Sequence, residues 1–436
     1  MSSPQIKLTD QGLEQMQYAA LLSRSWPHRP LSLVLSIVML LDLSLEARAQ
    51  DSPNVPRLAM AAKAAIENEL ATSKTPSLQV AIARDGALLF EGAVGAADLE
   101  HNVPATTGTR YRTASISKWF TAAAAFKLSE RGDLDLDAPI QSYCPDYSEK
   151  AWPVSTRQLL SHTGGIRHYL DFDELTEAAA TSADQEALAR RRDRERLDDF
   201  TRYTDTQSPL DQFSADPLVY EPGTDWLYSS FGYRIIGCVI AGASGVPYRE
   251  YMRTEVFEPL RMLRTDDDDA WRITPGRAKG YRLQDGVVRR ADIRDVSGNL
   301  PAGGHLTTAT DLVSFAQAFD DGQLVNAASQ LEMTSRPGGA AFSLDQPSWR
   351  DAIPRQGAYG FGLMIFPAAT GYWYGHSGRQ AGRSAIVIHD PMHDISIAVL
   401  SNAKGWNGYM RLVRRLHAIA TDEGRHQSTT GKAGSR

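Results

Sequence analysis

Ser115-Ile116-Ser117-Lys118 opens an alanine-rich, largely apolar stretch (SISKWFTAAAAFKLSERG) that closes at Gly132. On a helix, residues i and i+3 share a face, so this spacing sets the Lys118 amine beside the Ser115 hydroxyl. A hydroxyl is a weak nucleophile until a neighbouring base takes its proton, and a desolvated lysine that loses its charge can be that base. The helix N-terminus adds positive potential where an oxyanion would form. The chemistry this points to is acyl transfer through a serine. On its own Ser-x-x-Lys is short and arises often by chance.

Other catalytic patterns are missing. The segment Gly375-His376-Ser377-Gly378-Arg379 lacks the second glycine of a Gly-x-Ser-x-Gly elbow, which argues against an α/β-hydrolase. No HExxH, Walker loop or EF-hand occurs, and Gly360-Phe361-Gly362 is too short for a dinucleotide loop, so no cofactor is expected. His162 and His305 lie in glycine-rich turns and read as loop-packing or solvent-exposed residues. His389, Asp390, His393 and Asp394 resemble ligands, but a hairpin turn accounts for them. The run Asp266 to Asp269 reads as a solvated loop, because a calcium site needs spaced ligands and a turning glycine. No metal is expected.

Around this helix, Thr75 to Val94 reads as two strands about the turn Asp85-Gly86. Thr156 to Leu160 reads as a short helix ended by His162-Thr163-Gly164-Gly165, and Tyr228 to Ala243 as an apolar helix ending near Gly245. Thr308-Ala309-Thr310-Asp311 has capping-box shape, with Asp in place of Glu. Strand character dominates the last third: 361–366, 372–374, 384–389 and 395–400, with a helix from Tyr409 to Ala420 after them. Strands at both ends with helices between them imply one antiparallel sheet assembled from both termini, flanked by helices, plus a mostly helical lobe. The α/β part covers about 50–125 and 295–424, the lobe about 126–294. A charged insertion at about 174–210 (ARRRDRERLDD) reads as a solvated helix face or a flexible segment, and 425–436 as a disordered tail.

The composition agrees with an ordinary globular chain. Of 436 residues, 42% are hydrophobic and 22% charged, and 46 basic against 52 acidic residues leave a net charge of −6. A mildly acidic chain is a poor partner for nucleic acid. Cys144 and Cys238 make no disulfide framework and no zinc spacing, and read as small buried hydrophobes. Leu31 to Leu45 is apolar, preceded by Arg24, His28 and Arg29 and followed by Ala47-Arg48-Ala49, the small-x-small pattern of signal cleavage. It is short of the roughly 20 residues a spanning helix needs. Residues 1–49 are therefore expected to be a signal peptide, leaving a periplasmic or secreted catalytic domain at 50–424 with no stable membrane span. An uncleaved anchor is the alternative. The stretch before Arg24 is long for a signal n-region and leaves Met16 open as the start.

Tyr111-Arg112-Thr113-Ala114-Ser115-Ile116-Ser117-Lys118 resembles the nucleophile segment of the class C β-lactamase and DD-peptidase superfamily of serine hydrolases. Tyr228-Ser229-Ser230 resembles its Tyr-x-Asn segment, and His376-Ser377-Gly378 its Lys/His-Thr/Ser-Gly strand, in the order the family requires. Linking phrases at 158–166 and 302–304 fit as well, so the resemblance runs from about 57 to 420. Arg112 to Lys118, Leu134 to Asp137, Gly165 to Tyr169 and Tyr228 to Tyr233 are most similar to the branch of the mitochondrial serine β-lactamase-like protein and its bacterial relatives. The resemblance implies a β-lactamase/transpeptidase-like fold. Peptidase or esterase action is implied more than antibiotic hydrolysis, with room for a homo-oligomer, since the mitochondrial member forms filaments.

The same resemblance assigns roles. Ser115 would be the nucleophile of an acyl-enzyme on a small-molecule or peptide substrate. Lys118 and Tyr228 would share the proton transfers, the phenol ionising near neutral pH with Lys118 beside it. The backbone N–H groups of Ser115 and Arg379 would form the oxyanion hole. Ser230, His376, Ser377 and Gly378 would contact substrate. Ser230 replaces the usual Asn and would remove an amide that holds Lys118. His376 replaces a lysine and would make the charge offered to a substrate carboxylate pH-dependent. Alternatives are a β-lactamase or DD-carboxypeptidase acting on cell-wall chemistry, and a non-catalytic binding or filament-forming protein on the same fold. Substrate selectivity is expected from loops 140–150 and 340–357.

Overall fold

A computed structural model describes residues 55–169, 181–336, 357–369 and 371–431. The expected signal segment, the start of the charged insertion and most of loop 340–357 lie outside the described residues. The main sheet has eight strands: β1 Ser77–Arg84, β2 Ala87–Asp98, β3 Val103–Pro104, β4 Ala358–Tyr359, β5 Met364–Pro367, β6 Tyr372–Gln380, β7 Arg383–Asp390 and β8 Ile395–Ser401. Their spatial order is β3-β2-β1-β8-β7-β6-β5-β4, antiparallel throughout. Pairing of β1 with β8, from Leu78↔Ser401 to Arg84↔Ile395, joins strands from opposite ends of the chain, as expected. The turn at Asp85-Gly86 has both residues at positive φ (+50° and +73°), the twist a tight two-residue hairpin requires.

The helices used below are α1 Val55–Ser73, α2 Ser117–Arg131, α3 Thr156–Leu160, α4 Ser182–Asp198, α5 Ser230–Ser244, α6 Ala309–Asp320 and α7 Tyr409–Gly431. Period-2 alternation sorts the central strands onto two faces. Leu78, Val80, Ile82, Ile386, Ile388, Ile397 and Val399 cluster with Leu58, Ala62 and Ile66 of α1 and Leu412, Val413 and Leu416 of α7. The intervening Ala81, Ala83, Ala385, Val387 and Ala398 cluster with α2 and α6. Smaller side chains on that face let the helices approach closely. α2 is buried nearly all round, Trp119 meets Phe315 and Phe319 of α6 edge-on at 5.1 and 5.3 Å, and Gly132 caps the helix at φ +81°.

Several expectations are corrected. Cys144 and Cys238 are bonded to each other, tying the segment after Ile140–Ser142 to α5. A 94-residue separation hides this pairing from any reading of spacing. Within the insertion, Ser182–Asp198 is a largely exposed helix, the first of the two readings, and ion pairs tie it down. Glu195 of α4 lies 3.0 Å from Arg167, Arg191 lies 2.7 Å from Asp216, and Arg167 also pairs with Asp216. Farther along, Leu210 and Phe213 are buried, with Phe213 stacked on Phe231 at 4.2 Å. α7 continues to Gly431, past the expected start of the tail, because its last turns contain no proline. Thr308 caps α6, but the Asp311 carboxylate is one methylene too short to complete the box. It accepts instead from Arg264 N–H and the Thr265 hydroxyl at 3.0 and 2.8 Å.

Candidate active site

Ser115 sits in a 3₁₀ turn, Ala114–Ile116, that runs straight into α2. Ala114 has φ +47°, a conformation L-residues avoid, so the turn is held by what surrounds it. Thr113 donates both its N–H and its hydroxyl to the His305 carbonyl, at 2.9 and 3.0 Å. On the other side β6 presses in at Gly378. A Cβ there would stand 2.4 Å from Thr113 O and 2.9 Å from both Ala114 Cβ and Ser115 N, so only glycine lets strand and turn meet.

Lys118, fully buried, places Nζ 3.3 Å from Ser115 Oγ, 3.1 Å from Ser230 Oγ and 2.9 Å from Ala302 O. Burial, reinforced by the Arg234 guanidinium, holds its pKa well below the ordinary lysine value. A neutral amine has two N–H donors and one lone pair. Ala302 O and Ser230 Oγ take the two donors, which leaves the lone pair for the Ser115 hydroxyl. Ser230 therefore keeps a hold on Lys118 that the replacement of Asn was expected to remove. Arg234, whose guanidinium bonds Gln212 at 2.7 Å and Asn299 at 3.3 Å, was not singled out by the sequence.

Tyr228, 3% exposed, shares a hydrogen bond with Ser115, and its ring lies 4.8 Å from Lys118 Nζ. Burial raises its pKa above the ordinary phenol value, so the phenol stays protonated at neutral pH, contrary to expectation. Next to it, Ser229 caps α5: its hydroxyl accepts from Gly232 N–H at 3.0 Å and donates to Arg167 O at 2.7 Å. His162 is a packing residue rather than a solvent-exposed one, buried against Tyr228 with ring centroids 4.3 Å apart. Its Nδ1 accepts from Ser229 N–H at 3.1 Å, and His168 Nδ1 accepts from Ser230 N–H at 3.0 Å. His305 is also buried, its Nδ1 3.0 Å from Ser117 Oγ.

On β6, His376 has no exposure and cannot offer a titrating charge to substrate. Nδ1 donates to Ser377 O at 2.5 Å, so Nε2 is the acceptor for the Tyr359 hydroxyl at 3.1 Å. Burial and the nearby Lys118 push its pKa down to about 3. The expected pH-dependent carboxylate contact is thus overturned, because Tyr359 covers the ring. Ser377 Oγ lies 3.5 Å from Met364 Sδ, and Arg379 donates from Nη2 to the Tyr409 hydroxyl at 2.6 Å. Elsewhere among the described residues, Asp390, His393 and His417 bring ligand-capable atoms together, at the β7–β8 turn and α7. The Asp390 carboxylate is satisfied there by both imidazoles, at 2.6 and 2.7 Å.

Serine, lysine and tyrosine thus converge from a 3₁₀ turn, α2 and the segment just before α5, beside an antiparallel sheet built from strands far apart in the chain. A family model described as Beta-lactamase matches residues 62–422. The chain belongs to the Beta-lactamase family. With the family comes its fold. The human mitochondrial serine beta-lactamase-like protein LACTB is 32% identical over 292 residues, 56% of this chain and 53% of LACTB. This chain therefore spans about half the length of that relative. Among solved structures, the octameric penicillin-binding protein homologue from Pyrococcus abyssi superposes with a TM-score of 0.65 at 24% identity, covering 83% of this chain and 77% of its own. D-amino acid amidase from Ochrobactrum anthropi SV3 gives 0.66 at 23%, covering 84% and 99%. At that identity both likenesses concern the fold.

Proposed function

We propose that this β-lactamase-family chain hydrolyses an amide or ester, peptide bonds included, through an acyl-enzyme on Ser115. The observation that carries the reading is geometric: Lys118 Nζ lies 3.3 Å from Ser115 Oγ and Tyr228 is hydrogen-bonded to the same serine, while burial lowers the lysine pKa and raises that of the phenol. Lys118 takes the Ser115 proton as Oγ attacks the substrate carbonyl. The oxyanion develops at the backbone N–H groups of Ser115 and Arg379, with the N-terminal end of α2 adding positive potential. Tyr228 then protonates the leaving group and recovers its proton from Lys118. Water, deprotonated by Lys118, releases the acid and regenerates Ser115. Every step returns its proton, so no cofactor enters the cycle.

The neutral, covered His376 speaks against a β-lactam or C-terminal carboxylate as the preferred ligand, because no ammonium stands where that charge would be met. Export of the chain after removal of residues 1–49 is part of the proposal, and the Cys144–Cys238 bond supports it, since disulfides persist in oxidising compartments. The test is a panel: a chromogenic cephalosporin, a D-Ala-D-Ala peptide, an ester series and a peptide library, each against wild type and Ser115→Ala. We expect turnover of esters or peptides that Ser115→Ala abolishes. A cephalosporin as the best substrate would replace this reading with the β-lactamase one.

A further inference from the structure

Tyr228 lies in an irregular segment between Trp226 and the first turn of α5, with no helix or sheet ladder of its own to fix it. What fixes it is His162. The main-chain carbonyl of His162 accepts from Leu227 N–H at 3.0 Å and from the Tyr220 hydroxyl at 3.1 Å, and its imidazole Nδ1 accepts from Ser229 N–H at 3.1 Å. One residue therefore grips the backbone on both sides of Tyr228 while its ring packs on the phenol. His168 Nδ1 takes the next donor, Ser230 N–H, one of the orphan amides at the start of α5. The remaining ring nitrogen of His162 sits among the rings of Tyr228, Tyr233, Tyr359 and Trp226.

We infer that His162 and His168 are positioning residues, whose Nδ1 atoms hold the Ser229 and Ser230 amides and so set the Tyr228 hydroxyl against Ser115. The role requires each ring to carry its hydrogen on Nε2, since only an unprotonated Nδ1 accepts. Burial lowers the pKa of both rings well below the ordinary imidazole value, which favours the neutral ring that can accept. The strained φ of +64° at His162 fits the same purpose: it aims carbonyl and ring at the same short stretch of chain. The inference rests on the reading of Tyr228 as the proton donor to the leaving group.

Asn carries Oδ1 the same number of bonds from the backbone as Nδ1 of His, and tolerates a left-handed φ, so it keeps the acceptor; Phe keeps the ring and loses it. His162→Phe, His162→Asn, His168→Phe and His168→Asn are compared on a p-nitrophenyl ester and the methyl ester of the same acid. A poor alcohol leaving group needs Tyr228, whereas nitrophenolate leaves unaided. For the Phe variants we expect kcat/KM on the methyl ester to fall on the order of 10²-fold, as for loss of a general acid, with a much smaller fall on the nitrophenyl ester. The Asn variants should recover most of the loss. Parallel loss on both esters, no rescue by Asn, or wild-type rates in the Phe variants would each overturn the inference. Imidazole ¹⁵N NMR of the wild-type protein tests it without any substitution: Nδ1 of both rings must be unprotonated, and an Nδ1–H at either would refute the role. Should fluorophosphonate fail to label wild-type Ser115, it is the hydrolase reading that falls, and the ¹⁵N result still decides the hydrogen bonds.

Discussion

The proposed chemistry rests on a lysine whose burial lowers its pKa. Lys118 must be neutral to accept the Ser115 proton, and its lowered pKa moves the rising limb of kcat/KM to a pH below the ordinary lysine range. Activity is accordingly predicted to rise with pH and level off before that range, as a pH–rate profile will report. Lys118→Met should cost about 10²- to 10⁴-fold in kcat/KM, the usual contribution of a general base. The second residue-scale prediction concerns Gly378. In Gly378→Ala the added methyl meets the Thr113 carbonyl at 2.4 Å, so the nucleophile turn or β6 must shift. Displacement of this kind costs on the order of 10²-fold in rate. Steady-state kinetics alongside a melting curve should show kcat/KM falling far more than stability.

At the scale of elements, α4 and the segment after it carry different loads. Removing Ser182–Asp198 takes Glu195 from the 8%-exposed Arg167 but leaves Asp216, so the fold should survive with a loss of about 1–2 kcal/mol. Extending the deletion through Phe213 removes two buried apolar anchors, Leu210 and Phe213, and should abolish cooperative unfolding in calorimetry. The charge density of the insertion was legible in the sequence, but its docking was not, because Arg167 and Asp216 lie outside the charged run. The Ser115–Lys118 pair was legible because both sit within one helical turn. Tyr228 and Gly378, by contrast, reach the site across more than a hundred residues and were found through family resemblance alone. The turn chemistry of His162-Thr163-Gly164-Gly165 explained that histidine locally and concealed its buried acceptor. Pairing of two cysteines likewise depends on tertiary approach.

Among the described residues, His162, His168, His305 and His376 have pKa values lowered first by burial. Unfolded, each binds a proton below about pH 6.5; folded, they bind it only at much lower pH. The unfolded state thus takes up more protons as pH falls through 6.5, and stability is lost from there downward. At pH 5.5 the four together should cost about 5 kcal/mol relative to pH 7.5, with Asp266, raised to about 6 chiefly by burial, opposing part of it. Thermal midpoints measured at the two pH values check the sign and the size.

The central claim is a nucleophilic Ser115, and its most direct test is peptide mapping by mass spectrometry after reaction with a fluorophosphonate. The account predicts one adduct, on the peptide holding Ser115, absent from Ser115→Ala and slowed strongly in Lys118→Met. An adduct elsewhere, one that persists in Ser115→Ala, or none on the folded wild-type protein would contradict it.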